Sequence, residues 1–83
     1  MTEVIKPLHR MKEEERGVVF SIEGGHMLIT RLGAMGLRPG VPVRLVCAQP
    51  ARGPVVVEVL GRMRIALGRG VARKVLVKME KGI

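Results

Sequence analysis

Tryptophan and tyrosine are absent, phenylalanine occurs once, at Phe20, and cysteine once, at Cys47. A lone cysteine forms no internal disulfide, which agrees with a reducing compartment. With one aromatic side chain the sequence lacks the stacking platform on which small barrels hold single-stranded nucleic acid. The longest apolar run, Leu45 to Ala48, is far short of the roughly 20 residues of a membrane-spanning helix. Glu3, Lys6, Pro7, His9 and Arg10 interrupt the N-terminus, so the apolar segment of a secretory leader is missing and a cytoplasmic location is expected.

Acidic side chains are scarce as well. Seven Asp and Glu stand against 15 Lys and Arg, a formal net charge of +8 over 83 residues. The imbalance is local: residues 1–23 carry 4 basic and 5 acidic groups, residues 24–83 carry 11 and 2. At 47% apolar residues the chain is too hydrophobic for intrinsic disorder and has room for one domain. A domain this small buries a modest share of its surface, so self-association is an open route to further stability. Eleven Gly and 5 Pro favour many turns and a β-rich design.

Along the chain, residues 1–16 contain Pro7 and the run Lys12 to Arg16 with no clean period, and are read as an N-terminal arm preceding a domain over residues 17–83. Val18, Phe20 and Ile22 alternate as the apolar face of a first strand that ends at Gly24 and Gly25. From His26 the period changes: Leu28, Leu32 and Met35 fall on one face of a short helix. Gly36 stands where a left-handed C-terminal cap belongs, and Arg38-Pro39-Gly40 reads as a turn. Four further strands follow, marked by Val43/Leu45/Cys47, Val55/Val57/Val59, Met63/Ile65/Leu67 and Val75/Val77/Met79, with a short connector over Gly68 to Ala72. Five strands with one inserted helix suggest a small, strongly bent barrel that closes on itself.

Catalytic machinery is hard to assemble from these residues. Two histidines, one cysteine and seven carboxylates form no paired-acid, Ser/His/Asp or Cys/His set with a defensible spacing, and no phosphate-loop pattern is present. No C-x-x-C or H-x-x-x-H occurs. His9 and His26 are therefore weak metal candidates, for loose divalent binding at most, and otherwise turn histidines. Met27, Met35 and Met63 suit either an adaptable docking groove or core filling, with Met63 assigned to the core by its strand position. Arg44, Arg62, Arg64 and Lys78 fall on strand outer faces as a basic stripe, suited to phosphates, to an acidic protein or to plain solvation.

One string goes further. Leu32-Gly33-Ala34-Met35-Gly36-Leu37-Arg38-Pro39-Gly40 closely resembles the segment carried by FeoA-type ferrous iron transport accessory proteins, and the order of glycines and aliphatic positions from residue 8 to residue 79 is similar to theirs. The resemblance implies an SH3-like barrel with a helical insertion and no enzymatic activity. It also implies a cytosolic accessory protein acting on the FeoB transporter and its GTP-binding domain, peripheral to the membrane, with no small-molecule substrate. Similar domains end iron-dependent repressors, whose DNA-reading helix-turn-helix this chain has no room for. Where this resemblance meets the residue pattern, Gly36, Pro39 and Gly40 are geometry residues of the turn. Arg31, Met35, Leu37 and Arg38 form the candidate partner surface. A basic barrel that binds nucleic acid is the alternative.

Overall fold

Val55, Val57 and Val59 alternate with Val56 and Glu58, and in the computed structural model the three odd-numbered valines are fully buried. Successive side chains of a strand point to opposite faces, so this pattern alone commits one face to a core. The structure describes residues 2–48 and 53–81, and the loop read from Gln49 onward lies outside them up to residue 52. Its elements are β1 (Thr2–Pro7), a single 3-10 turn (Leu8–Arg10), β2 (Arg16–Ile22), α1 (His26–Ala34), β3 (Pro42–Ala48), β4 (Val55–Val59), β5 (Met63–Leu67), α2 (Arg69–Ala72) and β6 (Val75–Lys81).

The strands form one antiparallel sheet in the order β1-β6-β2-β3-β4-β5. Register shifts between Val19 and Ser21 and between Leu45 and Cys47 mark bulges, which bend strands and increase twist. The bent sheet wraps as a small SH3-like barrel around Leu45, Val55, Val57, Val59, Val75 and Val77, all fully buried. Among the described residues closure is incomplete: β1 and β5 stay at the two ends of the strand order, without a ladder between them.

Two expectations change here. Residues 1–16 are not a leading arm. Thr2–Pro7 pairs along its whole length with β6, from Thr2↔Lys81 to Pro7↔Leu76, and gives the sheet a sixth strand. Leu8 is fully buried, Met11 nearly so, and Lys6 reaches Glu15 at 3.1 Å. An edge strand tolerates a terminal proline and charged neighbours, which is why no apolar alternation announces it.

The second change concerns the phase of β2. Val19 is the core residue, paired with the fully buried Val77, while Val18 and Phe20 are exposed. The bulge after Val19 resets the alternation so that Ile22 packs inward again. Phe20 therefore stands half in solvent, at 49% exposure. Cys47 sits beside the second bulge and is only partly buried.

Candidate partner-binding face around the inserted helix

Helix α1 starts at His26 behind Gly25, an extended N-cap residue that contributes no side-chain hydrogen bond. Leu32 is buried and Leu28 partly so, against the barrel. The helix ends as its glycine foretold. Leu37 N–H donates to the Leu32 carbonyl at 2.9 Å and Gly36 N–H to that of Gly33 at 3.0 Å. With Gly36 at φ +100°, this is the Schellman arrangement, and its usual apolar contact is between the two buried leucines, Leu32 and Leu37. Directly after it, Val41 N–H donates to the Arg38 carbonyl at 3.1 Å across Pro39 and Gly40 (φ +93°), the pattern of a type II turn. Gly40 N–H then reaches the Val19 carbonyl at 2.8 Å, fixing the exit to β2.

A Cβ at Gly36 would lie 3.3 Å from Met63 Cε and 3.4 Å from Val59 Cγ1, on a backbone that side chains rarely adopt. Gly36→Val is therefore expected to lose about 1 kcal/mol or more. Thermal unfolding checks this, and an unchanged midpoint would contradict the cap geometry.

The four residues read as a partner surface do not share one face. Arg31 and Met35 line a groove of about 210 Å³ between α1 and the β5–α2 link, together with Leu28, Leu32, Ala66, Leu67, Gly68 and Val71. Arg38 lies across the helix, with Pro39, Ile29, Thr30, Gly33 and Ala34. Leu37 leaves the set, because it is fully buried and belongs to the core. The Schellman turn causes both outcomes: it swings the chain back under the helix, which drives Leu37 inward and carries Arg38 to the far side.

Three exposed methionines frame this region. Met27 is 77% exposed, Met35 and Met63 41% each. Met63 is thus not core, since β5 is an edge strand whose first residue overhangs Gly36. Its edge position was the signal, and alternation alone conceals it.

Half of the basic stripe is engaged by carboxylates. Arg44 binds Glu58 through Nε at 3.1 Å and Glu14 through Nη1 at 2.7 Å, and Lys78 faces Glu3 at 3.9 Å. Arg62 and Arg64 are exposed and make no ion pair among the described residues. Hydrogen bonding from Arg44 holds the Glu58 carboxyl below its ordinary 4.5. A depressed carboxyl supplies stability above its unfolded value that is lost as pH falls through the folded one. Glu58→Gln should accordingly be less stable than the parent at pH 7, with the gap closing below pH 4.5. A gap that stays constant in acid melts would refute the role of this pair.

Among the described residues no group of three or more His, Cys, Asp and Glu side chains converges. His9, on the 3-10 turn, and His26, exposed at the start of α1, sit on different elements. Burial, and after it the charges of Arg73, Arg10 and Arg69, hold the His9 imidazole below its ordinary 6.5. No helix among the described residues is long and apolar enough to cross a membrane.

The sequence profile of the FeoA domain matches residues 6–79, from the end of β1 into β6. This chain belongs to the FeoA family. A Methanocaldococcus jannaschii protein, whose name ties it provisionally to Fe(2+) transport protein A, is 36% identical over 72 residues, 87% of this chain and 84% of its own. A crystal structure of an iron uptake regulatory protein, FeoA, superposes with a TM-score of 0.83 at 36% identity, covering 92% of this chain and all of the other. The solution structure of FeoA from Chlorobium tepidum gives 0.81 at 25% identity, covering 93% of this chain and 72% of the other. The family is associated with ferrous iron transport. The Schellman exit and the type II turn lie within the matched region of this FeoA chain.

Proposed function

We propose that this FeoA protein is a cytosolic accessory and regulatory component of ferrous iron uptake. It acts by protein–protein contact with the cytosolic region of the FeoB transporter, including its GTP-binding domain, and not by catalysis. The observation that carries the reading is the groove beside α1, apolar at Leu28, Met35 and Val71, with Arg31 on its wall. A thioether repacks around varied apolar partners, and a rim guanidinium steers an acidic one. Iron is the cargo of the transporter in this reading and needs no resident site on FeoA.

Binding of the purified protein to the cytosolic region of its cognate transporter, at low and near-physiological salt and with a random oligonucleotide as competitor, tests this. Saturable binding that survives both salt and competitor is the expected result. Binding to the oligonucleotide alone, abolished by salt through counterion release, would replace the proposal with the nucleic-acid alternative. The engagement of Arg44 and Lys78 by carboxylates weighs against that alternative.

A further inference from the structure

Among the described residues two that are not glycine have a positive φ, Glu14 at 73° and Leu60 at 57°. For Glu14 the return is visible within the chain: Arg44 Nη1 donates to its carboxylate at 2.7 Å, and its own N–H donates to the Leu45 carbonyl at 2.8 Å. Leu60 shows no such return. It is the first central residue of the turn Val59–Arg62, closed by Arg62 N–H on the Val59 carbonyl at 3.2 Å, and Gly61 (φ 73°) is the second. Positive φ at both central positions is the type I′ pattern, whose first position favours Asn, Asp or Gly. A leucine there carries the steric cost of its Cβ. Its N–H bond to the Pro42 carbonyl at 3.1 Å is one that any residue but proline could make. The side chain is 46% exposed and stands apart from the core cluster.

Backbone strain held at an exposed apolar residue points to a use outside the chain, and the surroundings say which. From Leu60 to Arg64 five consecutive residues are exposed. Met63, paired with Val59, overhangs Gly36 next to Met35, so this hairpin tip adjoins the Met35 wall of the groove. Arg62 and Arg64 make no ion pair among the described residues, and neither does the exposed Arg16, which lines one recess with Gly61. The carboxylate of that recess, Glu58, is already bound by Arg44 at 3.1 Å. An apolar tip ringed by uncompensated guanidinium groups complements an apolar pocket with a carboxylate rim.

We propose that Leu60, at the tip of the β4–β5 hairpin, is the anchor that this chain inserts into such a pocket on the cytosolic region of the transporter, with Arg16, Arg62 and Arg64 meeting its acidic rim. The inference rests on the transporter being the partner. A bilayer is the weaker fit for one leucine, since even a single myristoyl chain holds a protein there only marginally.

The experiment compares the parent with Leu60→Asn, and with Leu60→Gly as a second variant, in thermal melts and in binding titrations against the purified cytosolic region of the cognate transporter. Asn suits a positive φ, so Leu60→Asn should raise the melting midpoint by about 4 °C. Leu60→Gly should not lower it. Both should bind at least tenfold more weakly than the parent. A more stable protein that binds less is a combination that a packing role for Leu60 does not give. Arg62→Gln/Arg64→Gln should weaken binding severalfold and flatten its dependence on salt. Parent-like affinity in Leu60→Asn, or a lowered midpoint in both Leu60 variants, would overturn the anchor while leaving the transporter as the partner. A parent that fails to bind the transporter would overturn both readings, and Leu60-dependent cosedimentation with phosphatidylglycerol vesicles would then assign the tip to a lipid surface instead.

Discussion

Gly17→Ala should be among the most damaging single substitutions in this chain, lowering stability by about 3 kcal/mol or more. An added Cβ at Gly17 would sit 2.5 Å from Val77 Cγ1, 2.7 Å from the Lys78 carbonyl oxygen and 2.8 Å from Met79 Cγ. Val77 and Met79 are core residues, and Lys78 is paired with Val18 in the β2–β6 ladder. Neither side of the contact can yield cheaply. At this position β2 also carries its pairing over from β6 to β3, Gly17 facing Val43, so a displacement propagates to both neighbours. In a domain of this size the loss corresponds to a fall of roughly 12–24 °C in melting temperature. Gly25→Ala is the control, since nothing lies within 4 Å of a Cβ there, and its midpoint should barely move. Equal behaviour of the two variants would mean that β2 and β6 are not packed as described.

The second large effect separates two neighbours at the helix exit. Leu37→Ala should lose about 2–5 kcal/mol, the usual cost of emptying a fully buried leucine site. Met35→Asp, two residues earlier and 41% exposed, should cost less than about 1 kcal/mol, mostly from an acidic group at a helix C-terminus. Its effect is expected in partner binding, which should weaken at least tenfold. Thermal melts read the first variant and binding titrations the second. Were Met35→Asp to melt like Leu37→Ala, Met35 would be a packing residue and the groove would lose its central contact.

The contrast between those two residues shows where the sequence was legible. Positive-φ glycines leave local signatures that one chain suffices to read, and so the cap at Gly36 and the turn at Gly40 stood out. Alternating valines in β4 did the same for a strand with a single apolar face. What stayed hidden depends on partners distant in sequence. Strand β1 is defined by pairing with β6 at the other end of the chain, from Thr2↔Lys81 to Pro7↔Leu76, and its own residues carry no apolar period. Bulges invert faces without changing composition, which put Phe20 outside and Val19 inside. The candidate face was legible as a segment but not as a surface: Arg31 and Arg38 are near in sequence, yet α1 stands between them.

We propose the groove between α1 and the β5–α2 link as the face that meets the transporter. Chemical-shift mapping of the isotope-labelled protein, titrated with the unlabelled cytosolic region of FeoB, tests it most directly. The largest changes are expected to cluster at Leu28, Arg31, Met35, Ala66 and Val71. Changes confined instead to the exposed side chains Ile5, Val18 and Phe20 of β1 and β2, or an unchanged spectrum at saturating partner, would contradict it.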